Sequence, residues 1–420
     1  MMRVEKLKSM PDERLMIFGA STRAAARSAL RAGFRPVCAD HFADQDLFES
    51  AEVLPLSRYP HGLVAAAASG PAVPWMYTGA LENHPRVLKQ LALLRRLYGN
   101  TAEVVGRVRN PFVVARVLTA AGLPPLPLCS ADQPPPRDGR WLLKPRRSAG
   151  GRGIHMWDDS PVVVPANRRR EPCYFQLRVS GDPYSALYLA TSTETVFVGA
   201  SRQLIGESRL NAAPFAYCGS VGPLHLGESV ERQLVRYGQT LGTEFGLRGL
   251  FGVDFMLDAD SVAWLIEVNP RYTASVEVLE TALGISLLGQ HVQASSAFDD
   301  GDRSRQIVDE LQSRLAAARR SRGDQKCGKA VLYAPFALRT PPLADLMRLP
   351  ALVDQRARIA DRPLPGTIVP ARAPLCTLLL DNVIGPTGTD GGPQMSGSWV
   401  GLFEPALSIL EAQLAPNREA

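Results

Sequence analysis

Two short segments hold most of the residues whose types and spacing could do chemistry. In Gly252-Val253-Asp254-Phe255-Met256-Leu257-Asp258-Ala259-Asp260-Ser261-Val262-Ala263-Trp264-Leu265-Ile266-Glu267-Val268-Asn269-Pro270-Arg271, polar and apolar residues alternate as in two strands joined by a turn. With Asp260-Ser261 as the turn, Asp254 falls opposite Glu267. Glu267 and Asn269 share a face, because strand side chains repeat every two residues. Asp254, Glu267 and Asn269 would thus bring carboxylate and amide oxygens together from two strands. Hard oxygen donors of this kind suit Mg²⁺, with Mn²⁺ as an alternative, the remaining positions going to water and phosphate oxygens. Arg271, just past the strand end, offers a planar fork of donors to a phosphoryl group or an acyl phosphate. A solvent-facing hairpin is the competing reading, but Glu267 and Asn269 stand between apolar neighbours on a strand suited to burial.

The second segment is Trp141-Leu142-Leu143-Lys144-Pro145-Arg146-Arg147-Ser148-Ala149-Gly150-Gly151-Arg152-Gly153-Ile154. A short apolar strand places Lys144 at its end, and a loop with Ser148, Gly150, Gly151 and Gly153 follows before a strand resumes at Ile154. Glycines let backbone N–H groups turn inward towards a phosphate chain, and a nearby lysine supplies charge. No G-K-[ST] follows the glycines, so this is not a Walker A loop. Lys144 is the only lysine between Lys89 and Lys326 in a chain whose cations are mostly arginine, which marks it for a task needing a compact ammonium.

The elements that must position these residues read as α/β. Leu15 to Phe18 is a strand, Gly19-Ala20-Ser21 a turn, Thr22 to Ala32 a helix, and Arg35 to Ala39 the next strand. Asp40 stands where a dinucleotide-binding fold keeps its ribose acid, but the turn lacks the second glycine of G-x-G-x-x-G. A Rossmann-like domain serving as one wall of a substrate site is therefore preferred over NAD binding. Pro111 to Ala121 predicts a helix, Arg303 to Arg320 another, and Ser321 to Gly328 a linker. The tail, with β-like runs Ala330 to Tyr333 and Leu375 to Leu380, suits a small β-rich cap.

Taken together, the Lys144 strand with its glycine loop, the hairpin ending Ile266-Glu267-Val268-Asn269-Pro270-Arg271, and their separation resemble the ATP-grasp superfamily, which includes biotin carboxylase and many carboxylate-amine ligases. The resemblance covers about Val108 to Ala297. It implies that Lys144 contacts the α- and β-phosphates of ATP, that Asp254, Glu267 and Asn269 hold Mg²⁺, and that Arg271 stabilises the reacting carboxylate. Tyr174-Phe175-Gln176-Leu177-Arg178-Val179-Ser180-Gly181 is similar to the family's hinge, making Gln176, Leu177 and Val179 the adenine candidates. The family's second phosphate lysine is missing, which leaves Arg109 as its substitute, and Asp182 is the carboxylate nearest the expected ribose acid. The implied layout is a Rossmann-like domain over 1–107, an ATP-grasp domain over 108–320 and a small β-rich domain over 321–420. Gly19 to Gly33, Gly79-Ala80-Leu81-Glu82-Asn83-His84-Pro85 and Asp361 to Thr367 look like a narrower group, the carboligase-like proteins linked to tetrahydromethanopterin one-carbon metabolism. That group implies a ligation step in making a one-carbon carrier.

With 45% apolar and 21% charged residues, the chain is a folded globular protein and not a disordered one. No apolar run reaches the ~18 residues of a membrane span, and the polar start has no signal-peptide character, so a cytoplasmic protein is expected. The six cysteines lie far apart without a C-x-x-C pair, which excludes a zinc knuckle or disulfide framework as the organising device. The net charge of +6 is scattered, and its one tight run, Arg168-Arg169-Arg170, reads as a solvated loop and not a nucleic-acid surface. The expected partners are a small-molecule carboxylate and a nucleophile, with homodimerisation left open. Biotin-carboxylase-like carboxylation is the nearest rival; it is disfavoured because no M-K-M motif is present and Ser275 stands where that family keeps a glutamate. A non-catalytic ATP-binding regulator is the alternative from another class.

Overall fold

The protein is described from a computed structural model that covers residues 13–56, 58–160, 172–341, 357–383 and 399–414. The Arg168-Arg169-Arg170 run lies outside the described residues.

The chain begins as the sequence implies. Strands β1 (Arg14–Gly19), β2 (Arg35–Asp40), β3 (Glu52–Val53) and β4 (Trp75–Tyr77) form a parallel sheet in the order β3-β2-β1-β4. Its helices are α1 (Arg23–Arg31), α2 (Gln45–Phe48), α3 (Leu63–Ser69), α4 (Pro85–Leu94) and α5 (Ala102–Val108). Leu15 to Phe18 are buried on both faces of β1, as a covered parallel sheet requires. Asp40 is consumed locally: its carboxylate accepts from Thr22 N and Oγ1 and from the amides of Phe42 and Ala43. This tie between the β1 and β2 loops makes Asp40 part of a wall.

After α6 (Pro111–Ala120), strands β5 (Leu128–Ser130), β6 (Trp141–Pro145), β7 (His155–Trp157) and β8 (Cys173–Leu177) form an antiparallel sheet in the order β5-β8-β6-β7. The strand expected from Ile154 starts one residue later, beyond the glycine turn. The central sheet is built from β9 (Asp182–Ala190), β10 (Thr195–Ile205), β11 (Tyr217–Leu224), β12 (Gly249–Leu257) and β13 (Ala263–Asn269). Helices α7 (Glu228–Phe245), α8 (Ala274–Leu283), α9 (Leu287–Ser296) and α10 (Gly301–Arg322) cover it.

The C-terminal part is β-rich, with β14 (Lys326–Tyr333), β15 (Leu338–Arg339), β16 (Ala357–Ala360), β17 (Ile368–Val369) and β18 (Pro374–Val383), followed by α11 (Glu404–Leu414). Three of these strands continue the central sheet, whose order is β13-β12-β9-β10-β11-β14-β18-β16; β15 and β17 pair separately. The expected Ser321–Gly328 linker is therefore shorter, because α10 runs to Arg322 and sheet pairing on β11 draws Lys326 into β14. Arg23 of α1, 1% exposed, joins the parts: it bonds Glu277 of α8 and Asp361 after β16. Lys329 of β14 donates to Glu277 over 2.9 Å. No helix among the described residues is long and apolar enough to cross a membrane.

Candidate active site

A cavity of about 590 Å³ lies between the β5–β8 sheet and the central sheet. Its floor is the β12–β13 hairpin. Asp254 pairs with Glu267 across the ladder, as expected, but the turn is not Asp260-Ser261. The loop spans Asp258 to Val262, because the Asp258 carboxylate gathers the amides of Asp260 and Val262 and the Trp264 indole. Leu257 thus pairs with Ala263, Phe255 with Leu265, and a bulge before Asp254 restores the acid to Glu267. Asn269 Nδ2 donates to Asp254 Oδ2 over 3.0 Å and to Glu267 Oε1 over 3.3 Å. Gln203 of β10 also holds Asp254, at 3.0 Å. Burial, and then the charge of Glu267, raise the Asp254 carboxyl above its usual range. Among the described residues no group of three or more His, Cys, Asp or Glu side chains is placed to hold a metal ion, and this oxygen set is two carboxylates and an amide.

Lys144 faces the same cavity from β6. It is 5% exposed, its Nζ donates to Gln176 Oε1 over 2.9 Å, and it pairs with no carboxylate among the described residues. Gln176 is held in turn through Nε2 to the Ile266 carbonyl, so its side chain serves Lys144. Of the hinge residues, Leu177 gives its N–H to Pro127 O, while Val179 lines the cavity beyond the end of β8. Ser148, Gly150 and Gly151 line the cavity; Gly153 completes the turn without lining it. Gly151 has φ +78°, and a Cβ there would stand 1.8 Å from the Phe215 carbonyl oxygen, so only glycine lets the loop lie against the approach to β11. Asp182 is not brought to the cavity: its carboxylate pairs with Arg202 at 2.7 Å on the neighbouring strand.

The third corner was legible only in part. Arg271 and Arg109 both line the cavity and share the buried Glu82, with Arg271 Nε 3.0 Å and Arg109 NH1 3.1 Å from its Oε1. Burial alone would raise the Glu82 carboxyl, but Arg271 and Arg109 outweigh it and hold it below its usual range. Two guanidiniums against one carboxylate leave surplus positive charge. Arg271 also donates to Asn269 Oδ1 at 3.1 Å, so the corner is joined to the hairpin oxygens. Arg109 donates to Ser148 O and Asn83 Nδ2 to the same oxygen, tying the N-terminal sheet to the glycine loop. Glu82 and Gln203 are site residues that the sequence reading missed. For Glu82 the available signal was an acid inside the Gly79–Pro85 motif; Gln203 has no local signal.

A family model described as an ATP-grasp domain matches residues 109–275. No curated protein sequence matches the chain significantly. Among solved structures, the fold is similar to the ADP complex of an N5-carboxyaminoimidazole ribonucleotide synthetase, with TM-score 0.62 and 15% identity over 96% of this chain and 98% of that one. It is similar to an L-amino acid ligase from Bacillus licheniformis, with TM-score 0.62 and 14% identity over 88% of this chain and 93% of that one. A biotin carboxylase from Campylobacter jejuni, in a β-γ-ATP complex, aligns with TM-score 0.60 and 15% identity over 87% of each chain. The matched segment holds Arg109, Lys144, the glycine loop, the hinge and the whole β12–β13 hairpin. Residues 109–275 thus match an ATP-grasp domain, and the chain shares the fold of these solved structures.

Proposed function

We propose that the protein is an ADP-forming ligase that converts a carboxylate to an acyl phosphate with ATP and passes the acyl group to an amine. One observation carries the reading. Among the described residues, Lys144 on one wall is a buried cation that pairs with no carboxylate, and Asp254 and Glu267 on the facing wall are crowded acids that no cation meets in an ion pair, Arg271 reaching them only through Asn269. A phosphate chain with a divalent ion answers both, because each unmatched charge is costly when buried. Asp254, Glu267 and Asn269 fit Mg²⁺ by their hard oxygens, and Mn²⁺ by the same criterion. Bound there, Mg²⁺ would neutralise the phosphates. Lys144 would hold the α- and β-phosphates, backbone N–H groups of the Ser148–Gly153 loop would cover the chain, and Gln176, Leu177 and Val179 would border the base.

Arg271 would orient the substrate carboxylate and balance the charge growing on the transferred phosphoryl group. A carboxylate oxygen attacks the γ-phosphorus, the bond to ADP breaks, and an acyl phosphate forms. The amine nitrogen then attacks the acyl carbon, phosphate leaves with the C–O electron pair, and the amine proton passes to solvent. Carboxylation of biotin type is less favoured, because the buried Ser275 shares a hydrogen bond with Thr273 where that chemistry would place an acid. The narrower reading, ligation in the making of a one-carbon carrier, rests on sequence motifs alone. The test is product analysis with Mg-ATP and a panel of acids and amines. ADP with phosphate is expected; AMP with pyrophosphate, or no nucleotide cleavage under any condition, overturns the proposal.

A further inference from the structure

Arg109, the cation that the sequence offers as a second phosphate ligand, is engaged elsewhere. Its NH1 lies 3.1 Å from Glu82 Oε1 and its NH2 donates to the Ser148 carbonyl, so it serves a buried acid and a loop. A triphosphate chain carries more negative charge than one lysine and a divalent ion remove, and charge left over in a cavity is costly. Of the other arginines on the cavity wall, Arg271 shares Glu82 with Arg109, and Arg178 is exposed at the end assigned to the base. Arg146 remains. It lines the cavity, is half-buried, and among the described residues meets no carboxylate. Its partners are neutral: NH2 donates to Asn110 Oδ1, and the guanidinium lies 5.7 Å from the centre of the Phe112 ring. An amide oxygen and a ring face hold a guanidinium in place without cancelling its charge.

The strand that carries Lys144 also sets the position of Arg146. β6 pairs with β8 through Leu142 and Gln176, Lys144 and Tyr174, and Pro145 and Cys173. The Arg146 amide donates to the Pro172 carbonyl over 2.8 Å and extends this ladder one residue past the strand. Side chains two apart on a strand share a face, and Leu142, Lys144 and Arg146 all line the cavity, whereas Leu143 and Arg147 do not. Leu142 stands beside Gln176 at the base end. Two residues advance a strand by about 7 Å, so the face passes from the base to Lys144 and then, about 7 Å further on, to Arg146. With the α- and β-phosphates at Lys144, the far end of the chain falls to Arg146.

We infer that Arg146 is the cation that meets the terminal phosphate of the nucleotide, leaving Arg109 to the Glu82 pair and the glycine loop. A planar fork of donors suits a terminal phosphate, whose oxygens accept two parallel bonds. The assignment rests on reading the cavity as an ATP site; it does not depend on which acid and amine are joined.

The test is calorimetric titration of the full chain with Mg-ATP and with Mg-ADP, beside melting curves, for wild type, Arg146→Gln, Arg146→Lys and Arg109→Gln. Arg146→Gln should bind Mg-ATP about tenfold to a hundredfold more weakly, the worth of a charge-assisted contact, and should lose clearly less affinity for Mg-ADP, which lacks the terminal phosphate. Arg146→Lys, which keeps the charge on the same strand face, should bind Mg-ATP more tightly than Arg146→Gln. Arg109→Gln should lower the melting temperature, since Glu82 keeps only one of its two cations, and lose less affinity for Mg-ATP than Arg146→Gln. Wild-type affinity in Arg146→Gln, equal losses for the two nucleotides, no gain in Arg146→Lys, or a greater loss in Arg109→Gln overturns the assignment. Mg-ATP binding that depends on Arg146 in a protein that joins no acid to any amine would support it and overturn the ligase reading. A wild type that binds no Mg-ATP would overturn both.

Discussion

A lysine that is almost wholly buried and whose ammonium, among the described residues, bonds only a glutamine amide is poised for an anion. Lys144→Ala should therefore weaken ATP binding by about tenfold to a hundredfold, the worth of a charge-assisted contact, without lowering the stability of the free protein. Lys144→Arg should not restore it, because a planar fork does not fit a site shaped for a compact ammonium. Calorimetric titration with Mg-ATP, beside melting curves, checks both. Glu267→Gln keeps the volume and removes one metal-facing charge. Its turnover should fall at least about a hundredfold while the fold persists, since metal charge stabilisation is worth several kcal/mol. Retained turnover in that variant would remove Glu267 from the metal set. Arg271 can be judged by the same logic, for it both pairs with Glu82 and lines the cavity. If it acts on the reacting carboxylate, Arg271→Ala should lose roughly 2.7 to 4 kcal/mol in turnover and much less in ATP affinity. A purely structural Arg271 would instead lower the melting temperature and leave turnover per folded molecule unchanged.

At the scale of elements, the hairpin shows what a sequence reveals and where it stops. Strand periodicity is local, so Asp254, Glu267 and Asn269 could be set on one face from the sequence, and they are. The turn was not legible. Asp258 captures two amides and an indole to make a longer loop, and a bulge that skips Ile266 of β13 corrects the register. Glu82 was obscured for a related reason: its partner Arg271 is 189 residues away. Asp182 looked available because Arg202, which claims it, lies on the next strand. The glycine loop was legible because backbone freedom is written in residue type. Its contact with Phe215 makes a prediction: Gly151→Ala should cost roughly 1 to 2 kcal/mol for the left-handed backbone alone, and more for the collision with the carbonyl. A rise in the KM for ATP greater than any change in kcat would locate the damage in the loop.

For the molecule as a whole, the Arg23 cluster fastens the N-terminal sheet to the central sheet and the C-terminal strands. Although burial would raise Glu277 and Asp361, Arg23 and Lys329 outweigh it and hold both carboxyls below their usual range. Groups depressed in this way contribute stability above their unfolded values of ~4.3 and ~3.9 and lose it as the pH falls below them. Urea midpoints should therefore hold between pH 7 and about pH 5 and drop as the pH falls below about 4, and Glu277→Gln should show a smaller drop from a baseline about 3 to 5 kcal/mol lower. The same latch bears on how the protein is made. Arg23 and Asp361 are 338 residues apart, so at ordinary ribosomal speed the cation waits on the order of 20 to 70 s for this partner. Until then the N-terminal sheet holds an arginine whose burial is only partly compensated, and the interior around it depends on strands translated much later. A nascent chain arrested before Asp361 should stay open to proteases that the completed protein resists, so the ion cluster doubles as a check that synthesis has gone far enough.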